Sequence, residues 1–203
     1  FRRVLFRSPV RIAALAYGPA VEEQWGFECR NVDFFDLKND LEQLLAPNCQ
    51  CQEAGSLRFE AFTTDRAHPA LHPGRSGRVM LNGCEIGWIG ELPPRHQAAH
   101  ELPQPPVLFE LETEPLLRLS LAKHGEVSRY PAVMRDFAVI VAEQVVVQRM
   151  LDAMFAIGID CLRSVSLFDL YRGKGIPDGC KSLAFRVIMQ ENQRTMTDQD
   201  ADS

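Results

Sequence analysis

The tightest constraint in the chain is an alternation near its end. From Ser182 to Gln190, the apolar residues Leu183, Phe185, Val187 and Met189 alternate with Ser182, Ala184, Arg186, Ile188 and Gln190. Successive strand side chains point to opposite faces, so one face is core and the other is largely free. Upstream, Phe137 to Val141 is a continuous apolar run that reads as a strand buried on both faces. Val147, Met150, Leu151, Met154 and Phe155 form one helical stripe that Gly158 can end, and Leu162 to Tyr171 reads as another strand. The order strand, helix, strand, strand is the first two-thirds of a β-α-β-β-α-β ferredoxin-like unit. Thr197 followed by Asp198 and Asp200 reads as the acidic start of its second helix.

A different rhythm precedes this unit, beyond a polar break around Leu121 to Val127 that reads as a domain boundary. Ile12 to Tyr17 and the segment around Trp25 and Phe27 read as short strands joined at Gly18-Pro19. Asp33 can cap a helix in which Phe34, Leu37, Leu41, Leu44 and Leu45 recur on one face until Pro47 stops it. Leu57, Phe59 and Ala61 alternate as in a strand. Asn82-Gly83 joins Val79 to Leu81 and Ile86 to Ile89 as a tight hairpin, since both turn residues tolerate positive φ. Leu102 to Pro106 is a proline-rich connector, and Val107 to Glu112 alternates again. The expected class is α+β, with a mostly antiparallel first region.

With 203 residues and 46% hydrophobic content, the chain can bury two small cores. A net charge of −5 and a pI near 5.6 exclude a surface that is polyanion-binding throughout, so any nucleic-acid contact is local. No run of about 18 apolar residues exists to span a bilayer. Six scattered cysteines without a secretory pattern read as reduced cytoplasmic thiols. Residues 1–8, FRRVLFRS, share no periodicity with the strand at Ile12 to Tyr17 and resemble translated sequencing-adapter DNA. They are expected to be foreign to the fold.

Local chemistry is sparse. His68 and His72 are four apart, but Pro69 and Pro73 oppose the helix that would bring two imidazoles together for a metal. Cys49 and Cys51 lack a second ligand pair at zinc spacing. In His72 to Gly77, two glycines around Arg75 would let backbone and guanidinium approach an anion. That run lacks the spacing of a P-loop or a dinucleotide fingerprint, and a structural turn is the plainer reading. No serine or cysteine sits in a nucleophile elbow.

The later loop carries more information. Arg172, Lys174 and Lys181 bracket Gly173, Gly175, Pro177 and Gly179, placing cations on a constrained loop that can follow a phosphate backbone. Ser128 to Arg186 holds eight Lys or Arg against six Asp or Glu, in a chain that is otherwise acidic. A solvated hairpin tip would carry similar charges. Tyr130, Phe168 and Tyr171 are candidates for base stacking, although each also fits core or edge packing, Phe168 most of all.

Two stretches, Ser128 to Val141 (SRYPAVMRDFAVIV) and Leu167 to Arg186 (LFDLYRGKGIPDGCKSLAFR), resemble the signature blocks of the ferredoxin-fold anticodon-binding domain that closes the beta subunit of bacterial phenylalanine-tRNA ligases. Thr195 to Asp198 is similar to that domain's next landmark. Upstream, Asp33 to Lys38 (DFFDLK), His68 to Ser76 (HPALHPGRS) and Ile86 to Leu92 (IGWIGEL) resemble the preceding domain of the same subunit, a class II synthetase-like fold without catalysis. Pro93 departs from that pattern, where histidine usually stands, and is expected to perturb a local turn. The glycine-arginine motif for ATP is missing too.

The resemblance implies a C-terminal fragment: residues 1–8 adapter-derived, 9–125 part of the inert synthetase-like domain, and 126–203 the anticodon-binding domain without most of its second helix and its last strand. That truncation would leave Phe137 to Val141 as an exposed apolar edge. It implies a cytoplasmic enzyme of two alpha and two beta subunits that charges tRNA with phenylalanine using ATP and magnesium. Activation would occur in alpha. Neither cofactor would be bound by this fragment, and it would supply no catalytic or metal-binding residue, but instead scaffold surface and tRNA contacts at Arg135, Arg172, Lys174, Lys181 and Arg186, with Tyr130 or Tyr171 stacking. The alternatives are a single-chain organellar ligase, against which the inert His72 to Gly77 region counts, and a free-standing ferredoxin-like module that binds RNA or a small regulatory molecule.

Overall fold

The computed structural model describes residues 9–48, 57–63, 67–117, 127–197 and 200. Two compact units divide between Lys123 and His124.

The first unit is a five-stranded antiparallel sheet of β1 (Arg11–Ala16), β2 (Leu57–Ala61), β3 (Ser76–Leu81), β4 (Cys84–Glu91) and β5 (Val107–Glu112), in the order β1-β5-β4-β3-β2. Helix α1 (Phe34–Leu45) covers one face. Its start is fixed by a reciprocal cap: the Asp33 carboxylate accepts from the Phe35 and Asp36 amides, and the Asp36 carboxylate accepts from the Asp33 amide at 2.8 Å. Leu37, Leu41 and Leu45 face inward against Val79, Ile89, Phe109 and Leu111, while Leu44 points outward. Each such leucine contributes about 1.5–3 kcal/mol by burial. Pro47 lies in a short 3-10 turn (Ala46–Asn48) that ends the helix.

The opposite face is a row of charges. Arg11 meets Glu110 at 2.5 Å, and Arg78 meets Glu60 at 2.7 Å. The Asn82-Gly83 hairpin forms as expected, with φ of 51° and 80°. Two short helices are not legible in the pattern: α2 (Pro94–Ala99), whose N-cap is Pro93 in an extended conformation, and α3 (Thr113–Leu116). Trp25 and Phe27 do not form a strand. Their segment is an exposed loop whose only sheet-like contact among the described residues is the Pro19–Asn31 bridge.

The second unit adopts the β-α-β-β order, with β6 (Val133–Ala142), α4 (Val147–Ala156), β7 (Leu162–Tyr171) and β8 (Cys180–Met189) in an antiparallel sheet ordered β6-β8-β7. Gly158, with φ of 72°, closes the turn after α4. β8 is central, so Leu183 and Phe185 are fully buried. β6 is not buried on both faces as its apolar run suggests. It pairs only with β8 among the described strands, and Ile140 is 55% exposed. Thr197 and Asp200 exchange hydrogen bonds as a helix-start cap does, and Arg194 adds two bonds to the Asp200 carboxylate, which lies well below the usual carboxylate range, chiefly because of Arg194.

Candidate nucleic-acid interface

The sheet of the second unit has a closed face and an open one. Helix α4 lies against β7, and the odd-numbered residues of β8 form the closed side. The even-numbered residues share the other side with Met134, Asp136, Ala138 and Ile140 of β6. Met134 is 54% exposed there, and no described element covers it.

A bulge sets the chemistry of this open face. Strict alternation would put Phe168 and Tyr171 on opposite faces of β7. The register with β8 shifts between Leu167 and Asp169, so Tyr171 pairs with Ser182 and joins the open side, while Leu170 pairs with Leu183 on the closed side. Phe168 is also on the open face, contrary to the expectation that it packs in the core or at an edge: it is half exposed, and the Arg186 guanidinium lies 5.0 Å over its ring. Arg186 Nε and Nη2 donate to the two Asp136 oxygens at 2.8 and 2.7 Å. Those bonds hold the Asp136 carboxyl below the usual carboxylate range. The result is a guanidinium over an aromatic ring, already paired in charge and partly exposed.

The other expected contacts do not converge on this face. Lys181 is on the odd-numbered side, 8% exposed, and its Nζ donates to the Glu143 carbonyl at 2.8 Å. Arg135 pairs in register with Val187, on the closed side. Arg172 donates to the Glu143 carboxylate, with Nη2 at 2.6 Å from Oε1, and thereby depresses that carboxyl. Glu143 also donates its amide to the Gly179 carbonyl at 2.8 Å. One residue after β6 therefore pins both ends of the basic loop, a role that sequence reasoning misses because acid and loop are 29 residues or more apart. Lys174 stays exposed at the loop tip, near the Tyr171 hydroxyl, which donates to the Lys174 carbonyl at 3.4 Å. Tyr130 is half-buried in the strap before β6, and Gln190 Nε2 donates to its carbonyl at 2.7 Å.

In the first unit, His68 and His72 each accept a backbone amide through Nδ1, from Ala70 and Gly74. The His68 ring also packs on Trp88, at 4.7 Å between centroids. Arg75 pairs with Glu91 at 2.9 Å, so His72 to Gly77 is a bonded turn. No metal-binding cluster of three His, Cys, Asp or Glu side chains occurs among the described residues. Cys49 and Cys51 lie outside them.

Residues 2–113 match the family model for the phenylalanyl tRNA synthetase beta chain CLM domain, a span that takes in most of the first eight residues. The chain belongs to the phenylalanyl-tRNA synthetase beta-chain family. Residues 128–203, which carry the open sheet face, match the ferredoxin-fold anticodon binding domain. Phenylalanine-tRNA ligase beta subunits are similar over nearly the whole chain: 44% identity over 98% of it in Dechloromonas aromatica (strain RCB), 45% over 97% in Burkholderia pseudomallei (strain 1710b) and 44% over 95% in Nitrosospira multiformis. The chain spans about a quarter of the length of these relatives, 24%, 24% and 23% respectively.

Proposed function

We propose that this chain works within the beta subunit of a cytoplasmic phenylalanine-tRNA ligase, and that its second unit contacts tRNA through the open sheet face. The observation that carries this reading is the Arg186 guanidinium over Phe168 on an uncovered sheet, inside the span that matches an anticodon-binding domain. A base splayed from a loop can stack on such a platform, at about 1–3 kcal/mol per base. Tyr171 extends the platform, and Lys174 with Arg172 stands at its rim, where phosphates would pass and fix the register. Lys181 and Arg135 act on the other side of the sheet and support the strands.

Residues 9–125 then serve as an inert synthetase-like scaffold and 126–203 as the anticodon-binding domain, in an assembly of two alpha and two beta subunits. ATP and magnesium serve the reaction in the alpha subunit, and this chain contributes no group to that chemistry. The test is Phe168→Ala in the complete enzyme. The tRNA KM should rise while tRNA-independent exchange between ATP and pyrophosphate stays unchanged. An unchanged tRNA KM and Kd would remove the open face from the reading.

A further inference from the structure

The segment between β1 and α1 has a fixed stem and an uncovered apolar tip. The stem is closed by the Pro19–Asn31 bridge, with Ala20 donating to the Arg30 carbonyl at 2.8 Å and Val32 to the Gly18 carbonyl at 2.9 Å. Arg30 is tied to α1 by two 2.6 Å bonds to Asp36. Beyond that stem, Trp25 is 97% exposed and Phe27 68% exposed. A free tryptophan on a braced loop is an anomaly, because its roughly 200 Å² of surface is the kind that concentrates binding energy at interfaces.

Charge selects the partner. Glu22, Glu23 and Glu28 flank the two rings, and Tyr17 to Cys29 holds no Lys, Arg or His. Three exposed carboxylates repel a phosphate backbone and an anionic bilayer alike. They suit a protein surface with an apolar socket rimmed by cations.

We propose that this loop is a docking finger whose Trp25 and Phe27 enter an apolar, Lys- or Arg-rimmed socket on a partner protein. The inference rests on the proposed function, in which that partner is the alpha subunit.

The experiment is hydroxyl-radical footprinting of Trp25 in the full-length beta chain, alone and assembled with its alpha subunit. Assembly should slow Trp25 oxidation about fivefold or more, and Trp25→Ala should weaken assembly about tenfold with unchanged melting, as for a central interface aromatic. Replacing Glu22, Glu23 and Glu28 with Gln should flatten the salt dependence of assembly. A complex that forms with Trp25 still freely oxidised overturns the finger and leaves the ligase reading intact. Protection already present in the beta chain alone, or gained only by self-association or by adding tRNA, overturns it as well. Absence of any alpha–beta complex would overturn the ligase reading with it.

Discussion

The guanidinium of Arg186 lies 5.0 Å over the ring of Phe168 and is held by two hydrogen bonds to Asp136. Because Asp136 already neutralises the charge, Arg186 offers a stacking plane more than a free cation. Arg186→Lys keeps the charge and loses the plane. It should weaken tRNA binding about fivefold, close to the roughly 1 kcal/mol of one Arg–aromatic stack, with the salt slope unchanged. Binding of tRNA across a salt series checks both, and an unchanged affinity would mean that the guanidinium plane carries no base.

Acid should release the cap at the start of α1. The Asp36 carboxyl is lowered from an ordinary 3.8 to about 2, mainly by the hydrogen bonds from Arg30. A depressed carboxyl lends stability above its unfolded value and loses it as pH falls through the folded one. Asp36→Asn should therefore reduce stability at neutral pH, by an amount on the order of 0.5–1 kcal/mol for a capping contact. The gap from the parent protein should close between about 4 and about 2 on the pH scale. Melts of both proteins across that window check it.

The division between what the sequence reveals and what it hides tracks the range of the interactions. The reciprocal cap at Asp33, the Asn82-Gly83 hairpin and the alternation of β8 are local patterns, and each appears where its residues require it. The open face of β6 is not local. Apolar composition alone cannot distinguish a strand flanked on both sides from one that leaves Ile140 exposed. The stacking platform is hidden for a sharper reason: one bulged residue in β7 reverses the face of every later residue in that strand, so period-two reading separates Phe168 from Tyr171. Lys181 eludes sequence reading because a cation beside a glycine-rich loop looks solvated until the strand register turns it inward.

Gly87 is the point where the first sheet tolerates least change. A Cβ there would overlap the Glu110 carbonyl oxygen on the neighbouring strand, and the residue has φ of 157°. The obstacle is backbone, so no rotamer relieves it. Gly87→Ala should destabilise the first unit by about 2–4 kcal/mol, in the range of large strain effects. Thermal or denaturant melts check it, and a loss below about 0.5 kcal/mol, typical of an ordinary surface substitution, would mean the β4–β5 pairing is wrong.

Lys181 and Lys174 should separate cleanly, although both flank the same loop. Lys181 is buried and donates to the Glu143 carbonyl, so Lys181→Ala leaves that acceptor without its partner and opens space beside β8. It should cost about 1–3 kcal/mol of stability, as expected for losing a buried charged donor. Lys174 is exposed at the loop tip, and Lys174→Ala should leave melting unchanged. Its effect should fall on binding: one phosphate contact fewer reduces the slope of log K against log salt by about 0.7 for an unpaired strand. Melting curves and salt-dependent tRNA binding, measured on both variants, distinguish the roles. If Lys181→Ala changed the salt slope at full stability, its ammonium would be reaching RNA and the inward register of β8 at that position would be wrong.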